Sequence, residues 1–191
     1  MAQTHYVKQR GKGHKGPHPE LRCQSCGKPI EVGQPYKWFK MKLSRGGVKK
    51  SYHTDCQIPP SHRTTSRMGQ IWDAQAGLQI DGLETLDEIQ TELQSLAESV
   101  REVAEGYTES ASNIESGFGH QTEQGYELED KGQQLESWAD DLESFDFSDE
   151  EPQREDFDEG DDGQDEYETE REQWLDNMRS EAQNEADNCP V

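Results

Sequence analysis

Apolar positions follow two different periods in this chain, and the change between them divides it. From residue 83 to 114 they recur in alternating steps of three and four: Leu86, Ile89, Leu93, Leu96, Val100, Val103, Tyr107, Ser110 and Ile114 form one row. Those steps put the side chains on one stripe of an α-helix at coiled-coil spacing. Asp, Glu, Ser and Gln fill the other positions, as on a solvated face. Gly117-Phe118-Gly119-His120 interrupts the row, and Leu128, Leu135, Trp138, Leu142 and Phe145 mark a second amphipathic segment over residues 123–145. The register carries through the break, so one interrupted coiled coil also fits. The two intervening glycines favour an αα-hairpin.

Nearer the N-terminus the period is two. Residues 35–43 read as a strand, with Tyr36, Trp38, Lys40 and Lys42 on one face and Lys37, Phe39, Met41 and Leu43 on the other. Gly46-Gly47 marks a turn, and Val48 to Tyr52 reads as the return strand. A short helix is expected from Thr54 through Cys56, stopped by Pro59-Pro60. Residues 66–77 predict another short helix, packing Met68, Ile71, Trp72 and Gln75 onto the strand unit.

Charge sharpens this division. The chain has 19 Lys/Arg and 41 Asp/Glu, a formal net charge of −22. Residues 1–75 hold 14 Lys/Arg and 4 Asp/Glu, whereas residues 76–191 hold 5 and 37. Residues 1–20 read as a flexible basic arm. Residues 146–170, with 14 Asp/Glu and one Arg, have nothing to build a core from, so the acidic tail 146–191 is expected to be disordered. One short helix is expected there, over 168–187, with Trp174, Met178 and Ala182 on one face. No apolar run approaches a membrane span or a secretory h-region, so an intracellular compartment (cytoplasmic, or nuclear in a eukaryote) is expected.

The chemistry is concentrated in Cys23, Cys26, His53 and Cys56, a C-x2-C-x26-H-x2-C array. Members of each pair sit close enough to share one ion. Zn²⁺ favours thiolate and imidazole ligands in a tetrahedron, and three Cys and one His close its shell. A closed shell leaves no position for water or substrate, so one structural Zn²⁺ is expected. A disulfide would leave both the spacing and His53 unexplained. No phosphate-cradling glycine loop, serine elbow or HExxH motif occurs, and the carboxylates lie in solvated stretches. The chain is expected not to be an enzyme. The fold class expected is α+β: a basic arm (1–20), a small β-rich zinc module with a short helix (21–77), an α-helical hairpin or coiled coil (78–145), and an acidic disordered tail.

Arg22-Cys-Gln-Ser-Cys-Gly-Lys-Pro-Ile30, Gly33, the Trp38–Leu43 strand and Gly46-Gly-Val-Lys-Lys-Ser-Tyr-His-Thr-Asp-Cys56 together resemble the zinc finger of poly(ADP-ribose) polymerases and DNA ligase III. Tyr52 stands at that family's aromatic position before H-x2-C. The resemblance covers about residues 20–58 and implies recognition of DNA ends, nicks or distorted backbone rather than base sequence. Cys-Gly-Lys-Pro-Ile and H-x2-C also resemble half of a LIM domain, without its second zinc half. The layout of a finger followed by an acidic helical region is similar to that of small phage proteins.

Lys37, Lys40, Lys42, Arg45, Lys49, Lys50, Arg63 and Arg67 are the candidate nucleic-acid contacts, interleaved with Tyr36, Trp38 and Phe39. Lysines reach phosphates and aromatics stack on bases in proteins that track a nucleic-acid backbone. The competing reading is that the strand lysines block edge pairing while the aromatics form a core. The function expected is therefore a nucleic-acid-binding zinc finger joined to a helical interaction region. The rival is a zinc-stabilised protein adaptor whose helices 83–145 hold a protein partner. In either case the heptad seam offers homo-oligomerisation. The acidic segments have three readings: a DNA mimic, an autoinhibitor of the basic module, or a solvating tail.

Overall fold

The computed structural model describes residues 4–11, 20–40, 49–64, 66–147, 150–157 and 161–191. The chain separates into two compact units, Met1–Gly69 and Gln70–Val191. The architecture is α+β: a small antiparallel sheet in the first unit and long helices in the second.

The sheet has three strands, β1 (His5–Val7), β2 (Tyr36–Lys40) and β3 (Lys49–His53), in the order β1-β2-β3. Across β2 and β3, Lys37 faces Tyr52, Trp38 faces Ser51, Phe39 faces Lys50 and Lys40 faces Lys49. Directly opposed residues share a face, so the alternation expected for β2 is realised. Phe39 and Tyr52 enter the core with Cys23, Ile30 and Ile58, their rings stacked 5.7 Å apart. Met41, Leu43 and the Gly46-Gly47 turn lie outside the described residues.

Residues 4–11 correct the expectation of a flexible arm. His5 pairs with Trp38 and Val7 with Tyr36. Farther on, Arg10 exchanges backbone hydrogen bonds with Gln34 (2.8 Å) and Gly33 (2.9 Å), and its guanidinium donates to the Ile30 carbonyl. Three residues are too few to show a strand period, which is why β1 is silent in the sequence. The helix expected from Thr54 does not form; a 3-10 turn begins only at Pro60. Two consecutive prolines remove the amide donors a helix would need and push Ile58 and Pro59 out of the α region.

The helix α1 (Met68–Gly77) begins in the first unit and continues in the second. Met68 and Ile71 are buried, but Trp72 is 43% exposed and the Gln75 amide donates to the Ala186 carbonyl at 2.8 Å. Gln75 therefore belongs to the helical unit rather than to the strand unit expected to receive it.

The helices α2 (Leu86–Phe118) and α3 (Glu123–Glu143) form the hairpin. Thr85 caps α2, accepting from the Glu88 amide at 3.3 Å, and Thr122 caps α3, accepting from the Gly125 amide at 3.1 Å. Gly119 ends α2 at φ 72°, a left-handed turn that glycine takes without strain. The seam residues Ile89, Leu93, Leu96, Val100 and Val103 are buried, as are Leu135, Trp138 and Leu142 of α3. The seam is thus covered from Ile89 to Val103, while Leu86, Tyr107, Ser110 and Ile114 at its ends are half-buried.

A second row accompanies the seam. Ala97, Ala104 and Ala111 on α2, and Gly125, Gly132 and Ala139 on α3, are buried and repeat every seven residues. Small residues at this spacing let antiparallel backbones approach. A Cβ on Gly132 would stand 2.6 Å from Thr108 Oγ1 and 3.2 Å from the Ala104 carbonyl. Arg101 bridges the same helices, reaching Asp140 (2.7 Å) and Glu143 (2.5 Å).

The disordered acidic tail is the main correction to the expected fold. Residues 161–187 form α4 (Asp161–Asp187), which ends where the helix expected over 168–187 ends and begins seven residues earlier, within the stretch expected to be disordered. Trp174, Met178 and Ala182 are buried on one face as expected, joined by Leu175 and Ala186. Arg179 donates to the Leu83 carbonyl at 2.9 Å, and Trp138 donates to the Glu185 carbonyl at 3.2 Å. Acidic composition hid a narrow apolar stripe that a preformed hairpin is able to cover.

Replacing Gly132 by Val should destabilise the helical unit by about 1–3 kcal/mol, because the added branches meet backbone. Urea denaturation followed by helical circular dichroism checks this. A change within about 0.5 kcal/mol of the parent, the range of an ordinary surface substitution, would remove the close-approach account.

Candidate metal centre

Two turns far apart in sequence supply the four ligands. In the first, the Cys23 amide donates to the Lys28 carbonyl and the Gly27 amide to the Cys23 carbonyl, both at 2.9 Å. Gly27 sits at φ 71°, where a side chain would be strained. The second turn leaves β3 at His53, and the Cys56 amide returns to the His53 carbonyl at 3.3 Å. The Gln24 amide donates to the Ser51 carbonyl at 2.9 Å and so ties the first turn to β3.

All four ligand atoms of Cys23, Cys26, His53 and Cys56 lie within 4.8 Å of one another. His53 Nδ1 is 3.4 Å from Cys26 Sγ and 3.8 Å from Cys56 Sγ. A tetrahedral zinc with ordinary bond lengths gives a sulfur–nitrogen edge of about 3.5 Å, so the array is compatible with a single zinc-sized ion. The other imidazole nitrogen, Nε2, lies 3.2 Å from the Pro29 carbonyl. That carbonyl only accepts, so Nε2 carries a proton, which leaves Nδ1, the nitrogen facing the sulfurs, as the ligand atom for a metal. The fourth cysteine, Cys189, is not part of the group.

The thiols differ. Burial works against ionising Cys23, but the amides of Cys26, His53 and Ser25 and the Cys26 side chain outweigh it and bring Cys23 down to about 6. Burial pushes Cys56 up to about 11, helped by hydrogen bonds and negative charge from Cys23 and Cys26. Three sulfurs without a cation repel one another as thiolates. Tyr52, pushed up to about 12 by burial, is a neutral core phenol, and its hydroxyl meets His62 Nδ1 at 3.1 Å.

The six basic candidates among the described residues do not share one face of the sheet. Lys40 and Lys49 are opposed on one face of the sheet, which also carries Tyr36 and Trp38. The Lys49 ammonium lies 4.3 Å from the centre of the Trp38 ring, which His5 stacks at 4.3 Å. Lys37 and Lys50 point to the other face, where Lys37 donates to the Thr54 carbonyl at 2.9 Å. Phe39 is core. Arg63 ends the 3-10 turn and Arg67 precedes α1, both exposed. Lys42 and Arg45 lie outside the described residues.

Sequence reasoning missed His5, Arg10, and the Pro29 and Thr54 carbonyls. Backbone acceptors have no side-chain signature, and the first two sit in an arm without periodicity. Among the described residues, no helix is long and apolar enough to cross a membrane. Comparison with models of known families, with curated proteins and with solved structures finds no match to the chain.

A metal at this site binds thiolates, so it must displace the proton that burial favours on Cys56, whereas the amides around Cys23 already favour its thiolate. Affinity therefore rises with pH, by about tenfold per unit for each proton displaced. Below about 6 the Cys23 proton must be displaced as well, and the dependence steepens. Competition against a chelator from pH 5.5 to 8 (about the range over which zinc fingers are handled) checks this; a flat profile would contradict it.

Proposed function

We propose that this chain is a non-enzymatic zinc-finger protein. One structural Zn²⁺ on Cys23, Cys26, His53 and Cys56 holds its N-terminal unit, and that unit binds a nucleic-acid backbone. Zinc is favoured by the Cys₃His donor set and by the spacing of Nδ1 from two sulfurs. Four protein ligands fill a tetrahedron, so the metal shapes the unit and does not activate water.

The observation that carries the nucleic-acid reading is the sheet face that places Lys40 and Lys49 beside Tyr36 and Trp38. It lies in a unit with 14 Lys/Arg against 3 Asp/Glu, while residues 70–191 hold 5 against 38. Opposed lysines on a flat strand pair suit successive phosphates, and their charge acts through counterion release. The likeness of residues 20–58 to break-sensing fingers points to DNA ends or distorted backbone as the ligand. Arg63 and Arg67 add exposed charge to the same unit.

A second reading rests on Phe118 and Tyr126, which are 69% and 61% exposed beside the α2–α3 turn. Exposed aromatics there suit a protein partner, and the helical unit then acts as the adaptor. Burial of Ile89 to Val103 of the heptad seam under the other helices favours this exposed pair over the seam as the contact.

Binding of a labelled DNA oligonucleotide by the full chain should fall log-linearly with salt. Lys40→Gln with Lys49→Gln should reduce the slope by about two contacts, weakening all sequences alike. No binding to single-stranded, nicked or blunt-ended DNA at low salt would sink the nucleic-acid reading.

A further inference from the structure

Lys37, one of the candidate nucleic-acid contacts, is hydrogen-bonded to the turn that carries two of the candidate metal ligands. Its ammonium donates at 2.9 Å to the carbonyl of Thr54, the residue that follows the ligand His53 and lies in the turn carrying Cys56. The register explains how it gets there. Lys37 stands directly opposite Tyr52, one residue before His53, on the face of the sheet that holds Phe39 and Tyr52. The aliphatic stem runs along this core-facing side and the ammonium emerges at the second turn.

We propose that Lys37 is a positioning residue for the metal: it fixes the His53–Cys56 turn and supplies a positive charge beside a centre that carries one net negative charge when loaded. This inference rests on the zinc reading. Three thiolates and a neutral imidazole on Zn²⁺ leave a charge of −1, in a unit too small to hide it from its neighbours. The Thr54 carbonyl lies between two ligands, so holding it limits how both His53 and Cys56 approach the ion. The Pro29 carbonyl does the corresponding work for the imidazole, accepting from His53 Nε2 at 3.2 Å. One tie orients the ring and the other holds the turn. Outer partners of this kind typically change metal affinity by about 10–100-fold when removed.

The assignment also separates two roles among the lysines. Lys40 is exposed, opposes Lys49 and lies on the other face, so removing it should leave the metal untouched. Lys37→Met keeps the stem and removes the donor; Lys37→Arg keeps a cation and a donor.

The experiment titrates Co²⁺, then Zn²⁺, into the reduced full chain and into Lys37→Met, Lys37→Arg and Lys40→Met, following the cobalt d–d and thiolate charge-transfer bands. Lys37→Met should bind about 10–100-fold more weakly. At saturating Co²⁺ it should still reach one ion per chain with tetrahedral band intensity, which shows a weakened site rather than an unfolded one. Lys37→Arg should recover most of the affinity, and Lys40→Met should match the parent. Parent-like affinity in Lys37→Met would overturn the proposal, and so would equal losses in the Met and Arg variants. A Lys37→Met chain that never reaches the tetrahedral spectrum would also overturn it, since the residue would then be needed for folding and not for positioning. A parent chain that takes up neither ion would overturn the zinc reading itself, and this inference with it.

Discussion

Four side chains from two distant turns must converge on one point, and the N-terminal unit is built around that requirement. Among the described residues its core cluster holds five buried side chains, Cys23, Ile30, Phe39, Tyr52 and Ile58. A cluster of that size offsets only part of the conformational entropy of ordering the segment. Cys23, Cys26, His53 and Cys56 converge within 4.8 Å, where a bound metal ion would add to what the core supplies. Binding of zinc to such a site contributes on the order of 10 kcal/mol to folding. The surrounding bonds follow from the same requirement. Ser51 accepts from Gln24, Pro29 from His53 and Thr54 from Lys37, and each bond ties a ligand-bearing turn to the sheet or to the other turn.

The helical unit is stabilised by different means. It has a continuous apolar seam, a parallel row of Ala and Gly that draws α2 and α3 together, and an apolar stripe on α4 that closes over them. Its excess of 38 Asp/Glu over 5 Lys/Arg opposes compaction by self-repulsion. The few cations are spent between elements: Arg101 joins α2 to α3, and Arg179 joins α4 to the Leu83 carbonyl. The two units of the chain thus carry opposite net charge.

How much of this was legible in the sequence depended on the length and period of each signal. The α2–α3 hairpin was readable because Leu86 to Ile114 keeps a strict three-four step and Gly119 marks its end. The ligand set was readable because C-x2-C and H-x2-C are local patterns. The face assignment of Tyr36 to Lys40 followed from period two. The strand His5–Val7 was invisible, since it exists only by pairing with Tyr36–Trp38. The part of the helix Asp161–Asp187 over 168–187 was readable from the stripe of Trp174, Met178 and Ala182, while the dense charge of residues 161–167 hid its beginning. Lys37 looked like its neighbours in a basic run. Period two put it on the face of Phe39, but the Thr54 carbonyl that receives its ammonium has no side-chain signature.

The central claim is that a metal organises the first unit while packing alone organises the second. Amide hydrogen exchange on the full chain, with Zn²⁺ and after chelation, tests it most directly. Protection should be lost at Cys23, Gly27, Ile30 and Tyr52 and retained at Leu93, Val100, Leu135 and Met178. Loss of protection in both units together, or unchanged protection around Cys23 and Tyr52 after chelation, would contradict the account.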